Sequence, residues 1–250
     1  MAENLSNADL FKNFEEVKIN SNKTVTQNSD KDFIKIDRFT RARALFDEKF
    51  EILQNAKILV CGCGGVGGAT ISALYRSGVT HLSVIDNDKF EITNQNRQIL
   101  SENLGVYKTA AFEQNFSGVK GICEKIDENF VRNFNFSEFD FVIDAVDDIK
   151  AKILLAKICA QNNLNFISSM GAAKRLDPLQ IRTASVWKTK NDPFARKFRE
   201  ELKKDNFKGD FEVVFSLELP QDIKALGSFM AVTATFGNIL AAKVIEKLIF

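Results

Sequence analysis

The sequence has few cysteines, and no two of them have the spacing of a metal-binding pair. The four are Cys61, Cys63, Cys123 and Cys159 among 250 residues. Because no C-x-x-C spacing occurs, the sequence lacks a zinc signature of the paired-cysteine type. Cys61 and Cys63 are too close in sequence for an easy disulfide, so we interpret them as small residues in a tight, buried turn. This cysteine usage suits the reducing cytoplasm.

Net charge is also almost absent, at +1 from 34 basic and 33 acidic side chains. A protein of this charge is not a generic binder of polyanions, and any contact with nucleic acid would need a local basic patch. The single histidine, His81, begins a predicted strand and is interpreted as structural. The chain is long enough for a full core, and its 45% hydrophobic and 27% charged residues are ordinary for a globular protein.

We expect neither a signal peptide nor a membrane segment. The first residues are acidic and polar and contain no apolar signal core. One uncharged run, residues 225–242, reaches the lower length limit of a membrane helix but contains Ser228, Thr233 and Asn238. We therefore predict a core helix there and no stable membrane association.

The most informative motif is the glycine-rich sequence GCGGVG at residues 62–67, which follows an apolar run. A strand that turns directly into a helix needs a residue with positive φ, and Gly62 supplies it. Gly64 and Gly65 let a phosphate approach the backbone, where the N–H groups and the dipole of the next helix would face it. Gly67 lets that helix pack close to the strand. The pattern predicts a nucleotide-binding loop.

Five polar residues beyond this loop indicate which nucleotide binds. Asp86 ends the second predicted strand and is placed to bind a ribose diol. Asn94 and Arg97 lie near the phosphate end, and Lys108 opens the next helix as a point charge for phosphates. Asp147 follows the fourth parallel strand, where a carboxylate facing a triphosphate is a natural Mg²⁺ ligand. A hydride-transferring NAD enzyme needs no such groups, so we predict ATP and Mg²⁺.

Strands and helices alternate along most of the chain. Predicted strands lie at 58–60, 81–85, 141–143 and 164–168, and predicted helices at 66–77, 107–116 and 148–162. This alternation predicts an α/β fold with a doubly wound, Rossmann-like, mainly parallel sheet. After residue 171, segments 180–187 and 212–215 look like antiparallel strands around a helix at 193–204, which gives an antiparallel C-terminal extension.

Two domains of unequal character are expected. Residues 1–35 form a polar N-terminal extension, either disordered or with a short amphipathic helix near Leu10. Residues 36–250 form a single ATP-binding, adenylyltransferase-like domain.

From about residue 38 to 248, the chain resembles the ThiF/MoeB superfamily of ubiquitin-activating-enzyme-like adenylyltransferases. The matching motifs are RFTR at 38–41, the glycine loop, DND at 86–88, residues 94–98, Lys108 and residues 144–147. Within it, the segments 171–181, 192–193, 214–218 and 232–237 resemble the tRNA threonylcarbamoyladenosine dehydratase family.

The resemblance implies a catalytic set of Arg41, Arg97, Lys108 and Asp147, with Asp88 in the nucleotide-binding motif. Arg41 matches an arginine that members insert into the site of the neighbouring subunit, which implies a homodimer. The implied reaction is adenylation of the threonyl carboxylate of N6-threonylcarbamoyladenosine in tRNA, followed by ring closure and release of AMP. Whether a sulfur-transfer accessory protein assists is left open.

A basic stretch near the C-terminal third supports a tRNA partner. Asp192 and Pro193 predict a helix start, and the helix carries Arg196, Lys197, Arg199, Lys203 and Lys204 with phenylalanines between them. The alternative is a solvated helix whose phenylalanines face the core.

Two other functions are alternatives to this dehydratase activity. An adenylyltransferase for a sulfur-carrier protein shares the fold, but such enzymes usually carry two C-x-x-C pairs, which this chain lacks. A non-catalytic nucleotide-binding scaffold is disfavoured, because every family motif residue is present.

Overall fold

Two short helices open the part of the chain that the computed structural model describes, residues 36–250. They are α1, Thr40–Phe46, and α2, Phe50–Asn55. The Arg38 guanidinium lies 3.8 Å from the centroid of the Tyr75 ring, and the Phe39 ring lies 5.7 Å from that of Phe50. These contacts fix α1 to the domain. The helix predicted near Leu10 lies outside the described residues.

A seven-stranded sheet forms the centre of the described domain. Its strands are β1 Lys57–Cys61, β2 His81–Ile85, β3 Lys120–Ile122, β4 Phe141–Asp144, β5 Asn165–Ser169, β6 Ile181–Ser185 and β7 Glu212–Ser216. Their spatial order is β3-β2-β1-β4-β5-β7-β6. All neighbouring strands are parallel except β6 and β7. The predicted doubly wound sheet with an antiparallel C-terminal part is therefore confirmed.

Six further helices cover the two faces of the sheet. They are α3 Gly65–Ser77, α4 Lys108–Asn115, α5 Glu128–Asn133, α6 Ile149–Gln161, α7 Pro193–Lys204 and α8 Met230–Ile249. The apolar residues of α3, α4 and α8 pack in one core, and those of α5, α6 and α7 pack in the other. The sheet thus lies between two helical layers, as a sheet of mainly parallel strands requires.

Only the part of the uncharged run 225–242 that begins at Met230 is helical. The helix α8 begins only at Met230 and continues to Ile249, and Val232, Phe236 and Leu240 are buried in the core. The prediction of a core helix was correct, but its start was placed too early. Among residues 36–250, no helix is long and apolar enough to cross a membrane.

The strand order brings two loops together. The strand β1 has β2 on one side and β4 on the other, so the chain leaves β1 and β4 in opposite directions. Ligands of open α/β sheets bind at such a switch point, outside the carboxyl ends of the strands. The loops that follow β1 and β4 contain the glycine motif and Asp147.

Candidate active site

Two glycines of the loop lie in close contact with backbone carbonyl groups, and these contacts set the shape of the loop. Gly62 has φ +94°, and its N–H donates to the Ile85 carbonyl oxygen at 2.7 Å. A Cβ on Gly62 would lie 2.8 Å from the Ala145 carbonyl oxygen, and one on Gly67 would lie 1.8 Å from the Gly62 carbonyl oxygen. Only glycine fits at both positions, as the sequence predicts.

The next glycines differ from each other in their surroundings. Gly64 is the N-cap of α3, and a Cβ there would meet only Gln98 Nε2, at 3.9 Å. A Cβ on Gly65 would lie 3.2 Å from Thr233 Oγ1 and 3.3 Å from the Arg97 carbonyl oxygen. Gly64 therefore leaves the loop open to a ligand, whereas Gly65 also lets α8 approach. Sequence reasoning missed this second role, because Thr233 is distant in the chain.

The helices α3 and α8 lie side by side and run in the same direction. Gly65 adjoins Thr233 near their starts, and Thr70 Oγ1 donates to the Gly237 carbonyl oxygen at 3.2 Å one turn later. Neither N-terminus carries a side-chain cap. Two helix N-termini therefore meet at the glycine loop, and their partial positive charges favour an anionic ligand there.

Asp86 organises the same loop through its carboxylate. Oδ2 accepts from the Cys63 N–H at 2.7 Å, and Oδ1 accepts from the Asp88 N–H at 2.8 Å. Burial raises the pKa of Asp86, although the Lys108 ammonium and the two N–H donors favour its charged form. Lys108 Nζ lies 3.0 Å from Asp88 Oδ2, and only 7% of the Lys108 side chain is exposed. The structure therefore brings Asp86, Asp88 and Lys108 together.

A tight turn holds the next two predicted residues. Asn94 is buried, and its Oδ1 accepts from the Glu91 N–H at 3.1 Å. Arg97 Nη1 donates to the Thr93 carbonyl oxygen and to Asn96 Oδ1, both at 2.8 Å. The Arg97 side chain is half-buried and leaves part of its guanidinium free for a ligand. Asn94 thus stabilises the turn that presents Arg97.

Asp147 is exposed in the loop between β4 and α6. The neighbouring Asp148 caps α6 by accepting from the Lys150 N–H at 2.8 Å. Among residues 36–250, no group of three or more His, Cys, Asp or Glu side chains could hold a metal ion by itself. Mg²⁺ is usually held by one or two carboxylates together with substrate phosphates. The exposed carboxylate of Asp147, in a loop that contacts the glycine loop through Ala145, fits such a site.

A buried ion pair lies behind this loop, and sequence reasoning missed it. Lys152 Nζ lies 3.0 Å from Asp144 Oδ2 and donates to the Ser169 carbonyl oxygen at 2.7 Å. Both side chains are almost completely buried, at 1% and 0% exposure. A lysine on an apolar face of α6 was the available signal, since buried lysines require a partner.

Arg41 is exposed and lies away from the glycine loop of its own chain. The helix α1 is anchored through Arg38 to Tyr75, in the last turns of α3. The glycine loop lies at the other end of α3, about 15 Å away at 1.5 Å per residue. The structure therefore does not bring Arg41 into the site formed by its own chain.

The predicted basic helix is α7, but three of its five predicted tRNA-binding cations have partners within the chain. Phe198 is fully buried, so this phenylalanine faces the core. Arg199 is half-buried and donates to Thr189 Oγ1. Arg196 and Lys204 have glutamate neighbours at 4.0 and 2.6 Å. Lys197 and Lys203 are exposed and form no ion pair within the described residues.

A family model described as the ThiF family matches residues 37–249. The chain belongs to the ThiF family. Among its ThiF relatives, a Bacillus subtilis protein named tRNA threonylcarbamoyladenosine dehydratase is 37% identical in an alignment of 186 residues that covers 71% of this chain and 73% of the relative. A protein of the same name from Escherichia coli is 32% identical in an alignment of 249 residues that covers 84% of this chain and 93% of the relative.

Solved structures of ThiF relatives agree with this assignment. The E. coli tRNA N6-threonylcarbamoyladenosine dehydratase TcdA in complex with AMP superimposes with a TM-score of 0.80 at 32% identity, over 84% of this chain and 93% of that one. The same enzyme in complex with ATP gives 0.79 at the same identity and coverage. These enzymes therefore share the fold of the described domain.

Proposed function

We propose that this chain is an ATP-dependent tRNA threonylcarbamoyladenosine dehydratase. The observation that carries the proposal is the open glycine loop beside Asp86, within a fold shared with relatives of that name in complexes with ATP and AMP. The chain also spans 73% to 93% of the length of the three bacterial relatives with this name.

The nucleotide is held by the loop and the residues around it. The α-phosphate and β-phosphate lie at the N-terminus of α3, where Gly64 leaves the backbone open. Asp86 retains lone pairs for the ribose hydroxyls after accepting two backbone N–H groups. Arg97 and Lys108 contribute fixed positive charge at the phosphates, and Asn94 holds the turn that presents Arg97.

Asp147 is the residue that would hold Mg²⁺. The ion would neutralise phosphate charge as the bond to pyrophosphate breaks. The protein's own part is to present one carboxylate beside the loop, and the phosphates of ATP and water would supply the other ligands.

The reaction proceeds in two displacements. An oxygen of the threonyl carboxylate attacks the α-phosphorus of ATP, and pyrophosphate leaves. The ureido nitrogen then attacks the acyl carbon and loses its proton, and AMP leaves with the former carboxylate oxygen. The net change is loss of water from the modified adenosine. Positioning and charge stabilisation supply the catalysis.

No cysteine of the loop is needed as a nucleophile. Burial raises the pKa of the Cys61 and Cys63 thiols well above the ordinary value. Buried neutral thiols of this kind are inert. Neither loop cysteine is therefore suited to act as the nucleophile of a cysteine-dependent activator.

The proposal includes a cytoplasmic homodimer that binds tRNA along α7. Its exposed cations, among them Lys197 and Lys203, are suited to phosphate contacts. Arg41 lies far from its own glycine loop, and we propose that it completes the site of a second copy.

The test measures AMP and pyrophosphate release from ATP with Mg²⁺. We expect both products with tRNA that carries threonylcarbamoyladenosine, and neither with the same tRNA transcribed without modification. Mass spectrometry of the digested tRNA should show a nucleoside lighter by one water. Turnover only with a small carrier protein that ends in Gly-Gly would reject the dehydratase and support a sulfur-carrier activator.

A further inference from the structure

The buried pair of Asp144 and Lys152 lies at the carboxyl ends of β4 and β5. Lys152 Nζ reaches three acceptors: Asp144 Oδ2 at 3.0 Å, Ser168 Oγ at 3.3 Å and the Ser169 carbonyl oxygen at 2.7 Å. An ammonium group has three N–H donors, so its hydrogen-bonding capacity is filled. The Ser168 hydroxyl also donates to Asp144 Oδ2, at 2.6 Å. The position of the Asp144 carboxylate is thereby fixed.

The second oxygen of this carboxylate holds the loop that carries Asp147. Asp144 Oδ1 accepts from the Val146 N–H at 3.1 Å, directly before Asp147. Directly after it, Asp148 accepts from the Lys150 N–H at 2.8 Å. The backbone of Asp147 is therefore fastened on both sides by a carboxylate, although its own side chain is exposed.

The same loop is in contact with the glycine loop. The Ala145 N–H donates to the Cys61 carbonyl oxygen at 2.8 Å, and the Ala145 carbonyl oxygen lies only 2.8 Å from the position that a Cβ of Gly62 would take. A shift of residues 145–147 would change the distance between Asp147 and the nucleotide. The geometry of the site thus depends on what holds this loop.

Stability alone does not account for this pair. Removing two charges from water is costly, and replacement of a buried ion pair by apolar residues of similar volume is often neutral or stabilising. An apolar pair of similar volume would fill the space between β4, β5 and α6, but it would give Val146 no acceptor. Unlike apolar contacts, the hydrogen bonds of this ion pair are directional.

We infer that Asp144 and Lys152 are positioning residues, which set the carboxylate of Asp147 for the Mg²⁺ that accompanies ATP. This inference rests on the proposed function. Because Mg²⁺ requires near-ideal ligand geometry, a displaced Asp147 should lose metal-assisted binding before it loses ATP itself.

The experiment measures ATP affinity by calorimetry with and without Mg²⁺, and the ratio of the two affinities is the Mg²⁺ gain. Two double variants remove the buried charges together. Asp144→Leu with Lys152→Met removes the acceptor for the Val146 N–H, whereas Asp144→Asn with Lys152→Met retains one. We expect the leucine variant to lose the gain at least tenfold and the asparagine variant to retain the wild-type gain. Affinity without Mg²⁺ should be unchanged in both.

A matched control removes another ion pair of the same helix. Lys157 Nζ lies 2.9 Å from Asp205 Oδ2, and both side chains are partly exposed. Lys157→Met with Asp205→Leu should leave the Mg²⁺ gain at the wild-type value. Thermal melting compares the folding of all variants.

Several results would overturn the inference. A wild-type Mg²⁺ gain in the leucine variant, or equal losses in both double variants, would mean that the bond to Val146 does not position Asp147. If the leucine variant does not fold, Ser168→Ala replaces it, with an expected loss of about threefold, and no loss would count against the inference. Absence of any ATP binding by wild type would instead reject the proposed function itself.

Discussion

Asp86 and Asp147 both follow strands at one end of the sheet, yet their surroundings give them different tasks. Backbone N–H groups occupy both oxygens of Asp86, and burial raises its pKa. Asp147 is exposed and has a free carboxylate for a ligand. The first carboxylate therefore shapes the nucleotide loop, and the second is available for metal.

Asp147→Asn should reduce kcat by about 10²–10³, the usual effect of losing one charge-stabilising group. ATP should still bind, because Asp86 and the glycine loop are untouched. The matched control is Asp148→Asn, since asparagine also caps helices well and the adjacent site keeps its charge. Steady-state rates and ATP binding check both variants. More than half of wild-type activity in the Asp147 variant would exclude it as the metal ligand.

The buried thiols predict a loss of stability at high pH. Burial raises the pKa of Cys159 to about 12. Its contribution to folding is full below the unfolded pKa near 9 and decreases as pH rises above it, by about 1.4 kcal/mol per pH unit. Urea unfolding of wild type and Cys159→Ala at pH 8 and pH 10 measures this. The stability of wild type should fall more steeply, and parallel pH dependences would contradict the assignment.

Sequence reasoning located residues whose role is local. The positive φ of Gly62 follows from the few residues around it and is as predicted. The pair of Asp144 with Lys152 and the neighbour of Gly65 depend on strands and helices that are distant in sequence. Such contacts leave no periodic signal, and for this reason they were missed.

At the scale of elements, the length of each strand or helix determined whether the sequence pattern could predict it. The long alternation of strands and helices gave the parallel sheet correctly. The sequence pattern did not locate β3 or α5, because a three-residue edge strand containing Gly121 and a six-residue helix are too short for a clear period. The predicted strand 180–187 shortened to β6, since 3₁₀ turns occupy both of its ends.

The helix α7 should bind tRNA mainly through phosphates. Changing Arg196, Lys197 and Lys203 to alanine should weaken tRNA binding and reduce its salt dependence by about one unit of slope per lost contact. ATP affinity should not change. Binding measured from 50 to 200 mM salt tests this.

A control for α7 uses cations at the opposite edge of the sheet. Lys120, Lys125 and Arg132 are exposed near β3 and α5. Their replacement by alanine removes the same charge but should leave the salt slope at its wild-type value. Equal effects of the two triple variants would mean that α7 contributes only net charge.

At the scale of the whole molecule, the contacts of residues 38 and 39 decide where Arg41 lies relative to the glycine loop. Arg38 and Phe39 hold α1 near the last turns of α3, whereas the glycine loop lies at the start of α3. Within residues 38–41, Arg38 and Phe39 therefore anchor α1 to the domain, whereas Arg41 is exposed. The sequence motif alone could not separate these roles, because the separation depends on where α1 packs.

A two-fold dimer in which Arg41 completes the partner's site makes a specific prediction about mixed subunits. Arg41→Ala and Asp147→Ala should each be inactive alone. After subunit exchange, one site of a heterodimer would carry both defects and the other would carry neither, because the two residues of each site come from different chains. Activity should return to about a quarter of the wild-type value per subunit at a 1:1 mixture, from half of the dimers with one intact site each. Exchange is verified separately with differently tagged subunits. Proven exchange without recovery would place Arg41 in the site of its own chain or outside catalysis.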